Sequence, residues 1–274
     1  MITVREVVVP STTDEAYEAL QKNKFATLLG GGGFLRMGSK NVTTLIDLSQ
    51  CDLNHISEEN NEWHIGAMVT LGELEMHPAL NADFSWIFSE SVKHIVGVQL
   101  RNVVTLGATV YSRYGFSDLI TGLLVLPLKV KLHKAGLMPL ETFLEEGVEG
   151  KDLLEKIIIP KGAVKAATTS LRKSAGDYAV LNASAAQVDG EWRISIGARP
   201  GRARLAEQAM VYLNQQGTDE ASLEQAARLA SEELVFGTNS RGTATYRKAM
   251  ASVLVKRVLK EVANSEAEHN YKRS

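Results

Sequence analysis

The chain has 274 residues, 45% of them hydrophobic, and a formal charge of −2. That length suits two modest domains or one large one, and the near-neutral charge, with basic residues scattered over helix faces, gives no electrostatic case for nucleic acid. A single cysteine, Cys51, excludes an internal disulfide framework and any cysteine-held zinc or iron–sulfur site supplied by this chain alone. The histidines at 55, 64, 77, 94, 133 and 269 show no His-x-x-x-His or Glu-x-x-His pairing, so no metal site is expected. Met1–Glu6 lacks a basic region followed by an apolar one, and no window approaches the roughly 18 apolar residues of a membrane span. A cytoplasmic protein without membrane partners is the expectation.

In chain order, Val4–Val9 reads as a strand, and Thr12-Thr13-Asp14-Glu15 as a capping box opening a short helix. Phe25–Leu29 and Thr43–Leu48 read as strands on either side of a glycine run. Trp63–Val69, Thr105–Tyr111 and Val125–Leu132 read as further strands, with a second capping box at Thr70-Leu71-Gly72-Glu73 and one apolar-periodic helix over Asn81–Val96. After Ile157-Ile158-Ile159-Pro160 the character changes. Ala163–Leu171 and Tyr178–Val188 read as extended, and Asp189-Gly190 turns into Trp192–Ala198 as a hairpin. Three helices follow over Arg202–Leu213, Asp219–Leu234 and Arg241–Val262, the last with Tyr246, Met250, Val253, Leu254 and Val258 as its apolar core face. Interleaved elements followed by strands and then helices predict an α+β chain: a first domain over 1–162 with lobes of about 1–53 and 54–162, and a second over 163–274 with an antiparallel sheet and helices on one side.

The glycine run Gly30-Gly31-Gly32-Gly33, entered from Leu28-Leu29 and left through Phe34-Leu35, is the most informative stretch. A run without Cβ atoms can adopt positive φ and surround a phosphate or diphosphate with main-chain N–H groups alone. Neither familiar nucleotide motif fits it. In a Gly-x-Gly-x-x-Gly frame the last position falls on Leu35 or Arg36, and in a Walker frame Gly38 is followed by Ser39 and then Lys40, in the wrong order.

Four blocks together resemble one family, the FAD-binding medium subunit of molybdenum hydroxylases of the xanthine dehydrogenase and carbon monoxide dehydrogenase type. They are Leu29-Gly30-Gly31-Gly32-Gly33-Phe34-Leu35; His64–Leu74, with Ile65-Gly66-Ala67, Thr70 and Glu73-Leu74; Gln99-Leu100-Arg101-Asn102 followed by Thr105-Leu106-Gly107-Ala108-Thr109 and Ser117-Asp118-Leu119; and Arg241-Gly242-Thr243-Ala244-Thr245-Tyr246-Arg247. Their order and spacing agree across nearly the whole chain. The sequence departs from the family at Gly33 and Phe34, where a polar pair is usual, and at Ala108-Thr109 in place of Gly-Asn.

The resemblance implies a two-lobed FAD-binding domain of the PCMH/VAO-like type. It implies FAD contacts from Leu29, Gly30, Gly31, Gly32, Gly33 and Phe34, a second cradle at Thr105, Gly107, Ala108 and Thr109, an acidic contact from Asp118, and an aromatic cover from Tyr178. It implies as partners a molybdopterin-binding large subunit and a [2Fe–2S] small subunit, with electrons leaving the flavin for NAD or another acceptor. No catalytic nucleophile or acid–base dyad is expected, since the flavin carries the chemistry. A stand-alone FAD-dependent oxidoreductase of the same fold, or a flavin-free assembly subunit, are the alternatives.

Overall fold

The structure, a computed structural model, describes residues 2–39 and 41–271, with side chains described through residue 264. The architecture is α+β, and the chain divides into two compact units. The first comprises Met1–Leu74, Gly97–Ser112 and Leu128–Pro160, and the second Glu75–Val96, Arg113–Pro127 and Lys161–Ser274.

The first unit holds two sheets. In the smaller, strands Thr3–Val8 and Thr27–Leu29 both pair in parallel with a central strand, Asn41–Asp47. Helix Thr13–Lys22 belongs with them, and the Thr12 side chain accepts from the Glu15 N–H as the capping-box pattern predicts. The reciprocal arm is displaced by one residue, because Glu15 Oε2 accepts from the Ser11 N–H at 2.8 Å. Ala16, Leu20, Ala26, Ile46, Leu48 and Cys51 form the core beneath this helix. The larger sheet is antiparallel and runs in the order Ile56–Glu59, Glu62–Gly66, Leu154–Pro160, Lys129–Leu132, Gly136–Pro139. Its first hairpin turns on Asn60 and Asn61, both with positive φ, a two-residue turn matched to strand twist.

Three sequence expectations fail here, each for a local reason. Thr105–Tyr111 is β-branched and aromatic enough to read as a strand, yet Leu106–Ser112 is a helix. The Thr105 hydroxyl accepts from the Ala108 N–H three residues on, and the Thr109 hydroxyl donates to the Thr105 carbonyl, so local capping outweighs strand propensity. Val125–Leu132 shrinks to a strand over Lys129–Leu132, because Val125 is the C-cap of helix Asp118–Leu124, the Leu126 N–H still donates to the Leu123 carbonyl, and Pro127 has no N–H to give a ladder. Asn81–Val96 is two short helices, Pro78–Asp83 and Ile87–Val92, broken where Ser85 and Trp86 take positive φ. The buried Asn81 side chain spans the break, donating to the His77 carbonyl and accepting from the Ser89 N–H.

The second unit is built on an antiparallel sheet ordered Arg204–Leu205, Glu191–Gly197, Leu181–Val188, Val164–Leu171. The Asp189-Gly190 hairpin is present, with φ of +50° and +92°. Alternation sorts the two central strands. Leu181, Ala183, Ala185, Trp192, Ile194 and Ile196 join the core formed with helices Glu207–Gln216, Glu220–Glu233 and Ala244–Tyr271. Asn182 and Ser195 lie on the opposite face, where Thr121 of helix Asp118–Leu124 donates to Asn182 Oδ1 and the Ser195 hydroxyl donates to the Thr121 carbonyl. The sheet therefore has the chain's own last three helices on one face and an earlier helix on the other. That second cover explains why Leu181–Ala186 is buried without interruption.

The long helix presents a core face rotated from the expected stripe. Leu254 and Val258 are buried, but Tyr246 and Val253 are exposed, while Arg247, Ala251, Val255, Leu259 and Val262 complete the buried face.

Candidate cofactor cradle

Strand Thr27–Leu29 delivers the chain into the glycine run, with Leu29 opposite Asp47. Gly31 has φ +70° and Gly32 φ +75°, the left-handed region that strains any side chain. The glycines answer to different demands. A Cβ at Gly30 would stand 2.8 Å from Thr105 Oγ1, one at Gly31 would stand 1.6 Å from the Val103 carbonyl oxygen, and one at Gly33 would stand 2.7 Å from Val104 Cγ2. The loop thus lies directly on residues 103–108, and those positions exclude side chains by contact. At Gly32 the nearest atom is the terminal Leu29 Cδ1 at 3.0 Å, so that glycine answers mainly to its backbone conformation.

The Gly32 backbone is buried. Among the described residues, no acceptor takes the N–H of Gly31, Gly32 or Gly33, although the Gly32 carbonyl accepts from Arg36 at 3.1 Å. A buried donor without a partner costs about 1–3 kcal/mol. Consecutive uncommitted amides in a loop with no Cβ atoms fit an oxygen-rich anionic group such as a diphosphate. Phe34 follows, exposed, and leads into the short 3-10 turn Leu35–Met37.

The second sequence-implied segment is organised differently. Leu106 N–H donates to the Val69 carbonyl and Gly107 N–H to the Ala67 carbonyl, both at 2.8 Å, while the Ala108 and Thr109 amides turn back on Thr105. Within 105–109, only the Thr105 amide has no acceptor among the described residues. Gly107 is required by packing, since a Cβ there would meet Ala67 Cβ at 2.6 Å. This segment supports the glycine loop from beneath.

Asp118 and Tyr178 lie in the second unit. Asp118 opens helix Asp118–Leu124, whose N-cap is Ser117. One Asp118 oxygen accepts from Arg172 and the other from Asn182 Nδ2 at 2.7 Å. The Tyr178 ring lies 4.6 Å from Phe116, which is stacked on Tyr114 at 5.0 Å, and the Arg241 guanidinium sits 5.1 Å from the Tyr178 centroid. Arg241 also pairs with Asp177 at 3.0 Å, and that hydrogen bond, with one from the Tyr178 amide, holds the Asp177 carboxyl below its ordinary range. Sequence reasoning missed Val103, Arg172 and Asn182. Arg172 lies six residues before Tyr178, and nothing in the sequence around it marks it as the partner of Asp118.

Cys51 is buried, its Sγ 3.4 Å from the Pro10 carbonyl, and burial, followed by Glu15 and Asp47, pushes its thiol pKa up. Among the described residues no group of His, Cys, Asp and Glu could hold a metal ion, and no helix is long and apolar enough to cross a membrane.

An α+β chain with a side-chain-free loop of uncommitted amides falls in the class of proteins that hold a phosphate-bearing group through main-chain N–H donors, and comparison of the chain with known families names that group. Residues 3–162 match the FAD binding domain in molybdopterin dehydrogenase, and residues 165–262 match the CO dehydrogenase flavoprotein C-terminal domain. The chain belongs to this family, as an FAD-binding oxidoreductase subunit of the CO dehydrogenase and xanthine oxidase type. No curated protein matches the chain. Solved structures with the same fold include the Cu,Mo-CO dehydrogenase in its cyanide-inactivated form, with TM-score 0.87, 24% identity, and 95% of this chain and 98% of that chain covered. CO dehydrogenase from Hydrogenophaga pseudoflava lacking the Mo-pyranopterin moiety gives TM-score 0.86, 25% identity, and coverage of 93% and 96%. Quinoline 2-oxidoreductase from Pseudomonas putida 86 gives TM-score 0.85, 23% identity, and coverage of 95% and 97%.

Proposed function

We propose that this chain carries the FAD of a multi-subunit, molybdenum-dependent hydroxylase or dehydrogenase, between [2Fe–2S] clusters on a small subunit and NAD or another acceptor. A molybdopterin-binding large subunit supplies the electrons in this reading, and the assembly works in the cytoplasm. When bound, FAD accepts electrons singly from iron–sulfur clusters and releases them as a pair. The residues proposed to hold it in the first unit are Leu29–Phe34 and Thr105.

The observation that carries the reading is the row of uncommitted amides at Gly31, Gly32 and Gly33, buried at Gly32 and bare of side chains. This chain's part is binding and orientation. The amides complement phosphate charge without a mobile cation, and residues 103–108 keep the loop in one conformation, so no reorganisation is needed when the cofactor enters. The departures at Gly33 and Phe34 remove polar side chains but leave the main chain intact. They therefore spare the diphosphate contact, which favours a flavin-bearing subunit over the flavin-free alternative.

The visible absorbance of the freshly purified full chain tests the cofactor, with flavin bands expected. A chain that carries none, and takes up none on reconstitution, would overturn the reading. Purification from the native source tests the assembly. Copurifying subunits containing molybdenum and iron support it, and turnover of an organic substrate by the chain alone would favour the stand-alone enzyme.

A further inference from the structure

We infer that the outward face of the larger sheet in the first unit is a docking surface for an acidic segment of a partner polypeptide, received by Lys129, Lys131 and Lys156. Antiparallel pairing fixes which side chains share this face. Lys131 stands directly opposite Lys156, and Lys129 opposite Ile158, which is in turn opposite His64. The alternate positions Val130 and Ile157 are buried on the inner face. Lys129 is exposed, and Lys131, Lys156 and Ile158 are half-buried.

Like charges directly opposite on paired strands destabilise a sheet, and here nothing offsets them. Among the described residues no carboxylate forms an ion pair with Lys129, Lys131 or Lys156. Lys156 Nζ donates to His64 Nδ1 at 2.9 Å, an imidazole nitrogen that brings no negative charge. The acidic residues of the same face stand apart, with Glu59 opposite Glu62 at the hairpin end and Glu62 opposite Pro160, at the far end of the strand that carries Lys156. The face is thus sorted by charge where cross-strand pairing would favour mixing, a local conflict of the kind that folds retain at functional surfaces. A carboxylate arriving beside Lys131 and Lys156 relieves it.

The sorting also selects the partner. A phosphate backbone or an anionic membrane plane would lay negative charge across the whole face and meet Glu59 and Glu62, whereas a short acidic segment needs only the lysine end. Leu137, exposed and opposite Lys131 on the edge strand, adds an apolar contact there, which the side chains of a polypeptide use and a phosphate backbone does not.

The inference is independent of the cofactor reading. Fluorescence anisotropy tests it, with the full chain and a labelled Glu-Glu-Leu-Glu-Glu-Leu peptide at about 20 mM and about 200 mM salt. Binding is expected at the lower salt and should weaken by about tenfold or more at the higher. Lys131→Glu should weaken it by about tenfold or more and also raise the melting temperature, because a carboxylate would then face Lys156. Lys129→Glu, at an exposed position, should weaken binding likewise and decides the matter if the first variant does not fold. Lys248→Glu, exposed on the last helix, changes the net charge equally and should leave binding unchanged. The proposal is overturned if the native chain binds no peptide at the lower salt, if Lys248→Glu weakens binding as much as Lys129→Glu does, or if folded Lys131→Glu protein keeps native affinity. A lowered melting temperature in Lys131→Glu would remove the like-charge cost on which the proposal rests. Phosphatidylserine vesicles or a duplex oligonucleotide that bind more tightly than the peptide, with the same dependence on Lys131, would overturn the choice of a polypeptide partner.

Discussion

A Cβ added to Gly31 would stand 1.6 Å from the carbonyl oxygen of Val103, and the two residues meet backbone to backbone. Loop and support are one structure at this point. A substitution at Gly31 therefore disturbs folding, whereas one at Gly32, with only the end of the Leu29 side chain nearby, disturbs the cradle.

Gly31→Ala is expected to lower stability by on the order of 3 kcal/mol or more, from backbone overlap added to left-handed strain. For a chain of this size that is a fall in Tm of roughly 6–12 °C. Gly32→Ala should cost about 1–2 kcal/mol yet lose FAD affinity by tenfold or more. Thermal melts followed by circular dichroism, with FAD titration of each folded variant, check the contrast. Unchanged FAD affinity in folded Gly32→Ala protein would remove the loop from the cofactor site.

Thr105 is buried, and its hydroxyl accepts from the Ala108 N–H at 3.3 Å. Thr105→Val keeps the shape and removes that acceptor, so a loss of about 1–3 kcal/mol is expected, while Thr105→Ser should stay within about 1 kcal/mol of the native chain. Urea unfolding of the two variants is the measurement, and equal midpoints would mean the cap carries no weight.

Arg247 is fully buried. Its guanidinium donates to the carbonyls of Val180, Gly237 and Gly242 and to Asn239 Oδ1. Burial lowers its pKa, but those acceptors keep the charge in place. Both Arg247→Ala and Arg247→Lys should destabilise the chain by about 3 kcal/mol, since lysine cannot span the four acceptors. Full recovery of the melting temperature by lysine would contradict the fork geometry.

Asp177 provides a pH prediction. Its carboxyl pKa is lowered chiefly by the hydrogen bond from Arg241. A lowered folded-state value means its contribution is present above the unfolded value near about 3.9 and is lost as pH falls through the folded value. An NMR titration of the Asp177 carboxyl carbon should give a midpoint below the ordinary range, and Arg241→Gln should move it upward. A midpoint unaffected by Arg241→Gln would show that the pair does not set it.

Cys51 should resist alkylation in the native chain and react once unfolded in urea. The thiol is buried and its raised pKa leaves less thiolate at any given pH. Rapid modification of native protein by a thiol reagent near pH 8 would contradict this placement.

Local signals in the sequence determined much of this protein. Thr12 and Thr70 cap their helices, with Thr70 and Glu73 exchanging both arms of the box. Asp189-Gly190 makes its hairpin, and the glycine run takes positive φ where φ had to be free. These outcomes depend on neighbours a few residues apart, which a sequence displays directly. The ordered blocks added the family and with it FAD, because a family pattern records the whole site at once.

Only the tertiary structure decided the rest. Strand propensity over Thr105–Tyr111 lost to the cap and to the close approach of Gly107 to Ala67, a contact between residues forty positions apart. The core face of the last helix rotated onto Arg247, Ala251 and Val255 because the sheet lies on that side. The partnership of Asp118 with Arg172 and Asn182 joins residues more than fifty positions apart, and no periodicity encodes it. Burial converts such distant pairs into fixed geometry, since a charge withdrawn from water must find its complement wherever the fold brings one.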